Sequence, residues 1–428
     1  MPCSALGSEP ARASILNRRS FWIARDAGIS QIAQFRMSFL RNLPVVLVLA
    51  SAAPAQSLVA NLATVAGSQT SSGTTPYFVI GNRAVFVANG AFGLEPYVTD
   101  GTVAGTRLLL DLAPAGNSSP IDLVVLGNEV LFSADVPGLG RELWKTDGTT
   151  AGTVLVKDIR AGSSSSTPAG LVAYGGHVWF SANDGSTGLE LWRTDGTTAG
   201  TVQVVDLRPG AGSSAPRDLT VVGSELYFVA SSPLAGTELH RLTSPASMVS
   251  LVADLAAGIG NSGLKDLAAF GNKLLFSANV GSGFEPFISD GTVAGTFQLA
   301  ELEPGPGSST PQNFTVLGNT AVFTATVIGS GRELYVTDGT PGGTTLLGDL
   351  RAGSASSNPD ELQAFNGAIF FAATSTAGER EPWRTDGTAA GTFQLLDLYA
   401  GSASSNPAEF TIVGNELWFS ASSNGVGN

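Results

Sequence analysis

Short apolar runs separated by turn-forming residues dominate the chain after residue 56. In one stretch, Val124-Val125-Leu126 ends at Gly127-Asn128, a pair suited to a tight turn because both residues tolerate positive φ. Val130-Leu131-Phe132-Ser133-Ala134 follows, then a loop, then Glu142 to Thr146. Asp147-Gly148 turns the chain into Val154-Leu155-Val156-Lys157-Asp158-Ile159, and a Gly/Ser/Pro connection over 161–168 closes the unit. The pattern predicts four strands. Several are apolar on both faces instead of alternating, which predicts small sheets covered by neighbours on either side.

The unit recurs. A phrase G-x-E-L-W-x-T-D-G-T-x-A-G-T runs through Glu142 and Glu190, with weaker copies at Glu95, Glu285, Glu333 and Glu381 and a degenerate one at Glu238. The intervals between these glutamates are 47, 48, 48, 47, 48 and 48 residues. Four strands per repeat of this length predict an all-β fold, a β-propeller of four-stranded blades. A solenoid is the competing architecture, but its repeats are usually shorter or helical. Residues 57–62 align with a fourth strand ahead of the first complete set. Phe410-Thr411-Ile412-Val413 and Glu416-Leu417-Trp418-Phe419-Ser420 match strands one and two after the seventh. Pairing these ends would give an eighth, composite blade that lacks its third strand and leaves no long open edge, either because the blade is three-stranded or because the chain is cut short of a longer product. Seven blades with surplus ends is the alternative.

Ahead of the repeats, Met37-Ser38-Phe39-Leu40-Arg41-Asn42, the apolar run 43–50 and Ser51-Ala52-Ala53-Pro54-Ala55 have the three parts of a secretory signal peptide. The organisation expected is therefore an upstream extension at 1–36, a signal at 37–55, and one propeller domain at 56–428. The apolar run is too short to span a bilayer, so no membrane span is expected in the mature chain. Cleavage after Ala55 would remove the single cysteine, Cys3. From Gln56 on, 16 Lys and Arg face 33 Asp and Glu, a formal charge of −17. That balance argues against nucleic acid and anionic membranes as partners. Secretion to the cell exterior or surface, as a monomer, is the expectation.

The repeated phrase resembles the bacterial ELWxxDGT, or hyalin-like, repeat proteins over residues 57–421. The resemblance implies a secreted or surface-exposed propeller and no settled activity. Departures are Pro for Leu at Pro96, Pro286 and Pro382, and Leu242-Thr243-Ser244 in place of Thr-Asp-Gly after Glu238. The Thr-Asp-Gly-Thr turn also resembles the Asp-box of sialidase-type propellers, where the motif is structural.

Three repeated side chains could carry chemistry. The turn aspartates Asp100, Asp147, Asp195, Asp290, Asp338 and Asp386 could bind calcium, but that ion needs six to eight oxygens and no EF-hand spacing is present. The simpler reading is that each accepts hydrogen bonds within its own turn while the next residue, Gly101, Gly148, Gly196, Gly291, Gly339 or Gly387, takes positive φ. No cofactor is expected. The glutamates Glu95, Glu142, Glu190, Glu285, Glu333 and Glu381 could form a cation-binding ring, or each could satisfy backbone donors locally. Aromatics at one phase (Tyr97, Trp144, Trp192, Phe287, Tyr335, Trp383) could stack sugars or fill the layer between blades.

Hydrolytic motifs are absent, and the two histidines, His177 and His240, fall at different phases. The chain is expected not to be an enzyme. The function expected is a secreted binding or scaffolding module for extracellular glycan or protein, with a carbohydrate-active hydrolase or a surface-layer component as alternatives.

Overall fold

The computed structural model describes residues 76–422 except 115, 400, 402 and 414, together with two N-terminal strands, Trp22–Ile23 and Ile32–Met37. Seven sheets are each built from contiguous chain, in strand order one to four and antiparallel throughout. The second blade is typical, with strands Ile121–Leu126, Glu129–Val136, Gly140–Thr146 and Val154–Lys157. Its first turn pairs Leu126 with Glu129 around Gly127 at φ +61°. First strands of successive blades lie beside one another, which makes them the innermost strands of the array.

Burial explains the doubly apolar strands. Val130, Leu131, Phe132, Ser133 and Ala134 are consecutive and all inaccessible, so both faces of the second strand are covered. The core lies between blades. Leu131, Leu143, Val156 and Ile159 of one blade pack on Val178, Phe180, Ala182 and Trp192 of the next. No helix of the described residues is long and apolar enough to cross a membrane.

The proline departures shape individual blades. Where Leu follows the repeated glutamate, the fourth strand has four residues, as in Val154–Lys157, Val202–Val205, Ser250–Ala253 and Thr345–Gly348. Where Pro follows it, the fourth strand shrinks to two: Arg107–Leu108, Phe297–Gln298 and Phe393–Gln394. Proline has no N–H to give the outer strand. Its carbonyl still accepts from Leu109, Leu299 and Leu395.

The eighth sheet is composite. Ala408–Val413 and Glu416–Ser422 form its inner half, and Ile32–Met37 lies antiparallel to Glu416–Ser422, with Trp22–Ile23 outside it. The sequence pointed to 57–62 for the N-terminal contribution, and that segment, with residues 38–56, lies outside the described residues. The strand present comes instead from the stretch read as an upstream extension and ends on Met37, the first residue of the expected signal.

Candidate functional site

The repeated glutamates lie on the third strand of each blade. Each is fully buried. Glu142 Oε2 accepts from Ile159 N at 2.8 Å and Ser166 Oγ at 2.6 Å, and its Oε1 accepts from Ser166 N at 2.8 Å. The same arrangement recurs at Glu95, Glu190, Glu285, Glu333 and Glu381, with donors 17 and 24 residues on, or 17 and 23 at Glu95. Degenerate as its blade is, Glu238 keeps it with Leu255 and Ser262. The serine carbonyl then accepts from the next blade, as in Asn183 N to Ser166 O at 2.9 Å. Each glutamate thus latches its blade's closing loop, and through it the following blade. Burial pushes all seven carboxyls above the ordinary range, against the pull of these hydrogen bonds. They form no cation ring.

The turn aspartates are equally committed. Asp147 Oδ1 accepts from Thr149 N and Oγ1 at 2.9 and 2.6 Å, Thr149 Oγ1 accepts from Gly152 N, and Thr146 and Thr153 share a hydroxyl bond at 2.8 Å. A Cβ on Gly152 would sit 2.1 Å from Asp147 Oδ1, which is why glycine holds that position. The threonine hydroxyls hold the turn carboxyls below their usual range. The phase aromatics are buried against second-strand partners, for example Phe276–Phe287 at 5.7 Å and Phe371–Trp383 at 6.4 Å between ring centroids.

The two histidines sit in unlike surroundings. His177 contacts its neighbour's carbonyl, Gly175 O, at 3.1 Å on the surface. His240 replaces the phase aromatic and stacks on Phe228, and burial lowers its pKa. Among the described residues no group of three or more His, Cys, Asp or Glu is arranged to hold a metal ion.

Two features escaped the sequence reading. On the innermost strands the second residue is left-handed in seven blades: Asp122, Gly170, Asp218, Asp266, Asn313, Glu361 and Glu409, at φ between +53° and +65°. A register shift follows each of them. Side chains reach along this ring, as when Gly170 N donates to Asp122 Oδ2 at 2.9 Å. Desolvation raises Asp218 and Asp266, and Asp218 raises Asp266 further against the pull of Lys265. The signal was present as a Pro-x-Asp/Glu/Asn/Gly phrase in six of these blades, such as Pro216-Arg217-Asp218 and Pro407-Ala408-Glu409. The second feature is a cavity of about 410 Å³ at the boundary of the third and fourth blades, with Arg208 on one wall and Thr237 and Asn261 on the other.

No family model and no curated protein matches the chain. Solved structures of similar shape exist. A puromycin hydrolase is 15% identical with a TM-score of 0.43, over 81% of this chain and 58% of its own. One of two prolyl endopeptidases is 12% identical with a TM-score of 0.44, over 76% and 50%. The β-propeller domain of the Trilobed protease from Pyrococcus furiosus is 11% identical with a TM-score of 0.39, over 76% and 97%. The chain thus spans about half the length of the first two. At such identities these likenesses bear on the fold alone, an all-β propeller. The expected secreted glycan- or protein-binding scaffold, with its carbohydrate-hydrolase and surface-layer alternatives, is not what these solved chains are: they are named as a puromycin hydrolase, prolyl endopeptidases and the propeller domain of a protease.

Proposed function

We propose that this chain is a non-catalytic propeller that works beside a peptide-hydrolysing domain and does not itself cut peptides. The observation that carries this reading is the commitment of the repeat carboxylates. All seven glutamates are inaccessible and spend their oxygens on N–H and O–H donors of their own blade. A general acid or base must reach a substrate proton, and these cannot. Chemistry is then sought outside these carboxylates, and peptide hydrolysis, the activity named for the prolyl endopeptidases and the Trilobed protease above, is the one to test first. Export by the signal at 37–55, whose cleavage would take Ile32–Met37 out of the eighth sheet, and membership of the ELWxxDGT repeat proteins belong to the same proposal, resting on the phrase, its period and the three-part leader.

The test has two arms. Purified full chain is incubated with a defined peptide mixture and followed by mass spectrometry, and the expected result is intact peptides. Cross-linking in native cells then captures the partner, which is expected to react with a fluorophosphonate probe and to cleave the same mixture. Cleavage by the purified chain alone, or a partner inert to both readouts, overturns the reading.

A further inference from the structure

We infer that the cavity between the third and fourth blades is a binding site for a small carboxylate that carries an apolar group. The inference stands independently of the peptidase reading. Its wall is cationic in an acidic protein: Arg208 makes no ion pair among the described residues, and its guanidinium has only the Ser231 hydroxyl, at 3.4 Å. The nearby Asp206 carboxylate is tied instead to the backbone N–H groups of Arg208 and Gly210. Ser231, Thr237 and Asn261 add hydroxyl and amide donors around the same space. Asn261 is fixed by accepting from Gly263 N at 2.8 Å, which leaves its amide N–H₂ as the free end. Pro233 and the largely exposed Ile259 supply an apolar rim.

Comparison along the repeat shows why this blade is singular. The residue in Arg208's phase is Ala113, Arg160, Ala256, Glu303, Arg351 or Tyr399 elsewhere. Glu303 is spent on Ile328 N at 2.6 Å, and Arg351 on Ser356 O at 3.4 Å. Arg160 lies against the loop at Gly185. At Arg208 the guanidinium borders a space of ligand size. A planar guanidinium with flanking neutral donors matches the two oxygens of a carboxylate. The apolar rim selects an acid whose next group is hydrophobic. A peptide ending in leucine and a free acylated amino acid share that chemistry.

Calorimetric titration of the full chain tests it with three probes: Gly-Gly-Leu, its C-terminal amide, and N-acetyl-leucine. Saturable binding of a carboxylate form is expected, with roughly tenfold or greater weakening on amidation and in Arg208→Gln. Arg160→Gln should bind as the native chain does, and Ile259→Asp should bind more weakly. Binding of both acids assigns peptide C-termini to the site, whereas binding of N-acetyl-leucine alone assigns free acids. Equal affinity for acid and amide, indifference to Arg208→Gln, or no saturable binding of either acid overturns the inference. Arg208 is at the surface, and a circular-dichroism melt separates lost binding from lost fold.

Discussion

Replacing Glu333 by Gln keeps the volume of one latch and turns one of its acceptors into a donor. In the native blade Oε1 accepts from Ser357 N at 2.7 Å, while Oε2 accepts from Leu350 N at 3.0 Å and from Ser357 Oγ at 2.6 Å. Whichever way the new amide is turned, a backbone N–H meets its NH₂ group. The serine hydroxyl can rotate to accept, but a backbone N–H cannot. A bond to a charged group contributes about 1.5–3 kcal/mol, and a buried donor left alone costs about 1–3 kcal/mol. These are two accounts of one loss, so Glu333→Gln should destabilise the chain by about 2–3 kcal/mol. Glu333→Ala strands both N–H groups and the hydroxyl and opens a void, and should cost about 4 kcal/mol or more. Equilibrium urea unfolding of the full chain measures both, with Ser357→Ala added to close a double-mutant cycle. A change below about 0.5 kcal/mol for Glu333→Gln at unchanged m-value, the range of ordinary surface substitutions, would refute the latch.

Three further outcomes follow from the same geometry. The seven buried glutamates have folded pKa values above the ordinary 4.5, so their contribution to stability is full below 4.5 and shrinks as pH rises through the folded values. The turn aspartates lie below 3.8 when folded, so theirs is present above 3.8 and lost as pH falls through the folded values. His240, whose pKa burial lowers, opposes the glutamates on acidification below 6.5, as one group against seven. Melting temperature scanned from about pH 3 to 8 should therefore peak between the two carboxylate ranges; a steady rise toward neutral pH would contradict the buried-glutamate account. Leu191→Pro should shorten the fourth strand Val202–Val205 as proline does in three other blades, at about 1 kcal/mol. Faster amide exchange at residues 203–205 would register it, and unchanged exchange would detach strand length from that N–H. Asp266→Asn removes a charge facing Asp218 and keeps a residue suited to φ +56°. Because burial disfavours the charge more than Lys265 favours it, the change should stabilise the chain at neutral pH by about 0.5–1 kcal/mol in urea unfolding, and a loss would show that Lys265 outweighs the cost of burial.

Much of the architecture could be read along the chain because a propeller repeats itself. Strand runs, the Gly-Asn turn and the Asp-Gly turn are local, and the 48-residue spacing multiplies them into blades. Even the short fourth strands are foreshadowed by Pro96, Pro286 and Pro382, since a missing N–H acts wherever the residue sits. The Asp147 turn is closed by residues within six positions of it, and so it was legible as structure.

What the tertiary structure decided is which like residues meet. Glu142 and Asp122 are both repeated acids, yet one is sealed on a third strand by donors up to 24 residues away and the other stands on an innermost strand. Sequence spacing cannot separate these cases, because every phase of a repeat has the same period. The strand that completes the eighth sheet, Ile32–Met37, pairs with partners nearly the whole chain away and carries no repeat signature. Arg208, Arg160 and Arg351 share one phase yet meet different neighbours, the Ser231 hydroxyl, the loop at Gly185 and the Ser356 carbonyl. A local pattern sets the blade, because hydrogen bonds and burial within the unit suffice for it. The individual cleft depends on contacts between units, where one substitution in a facing loop changes what a side chain touches.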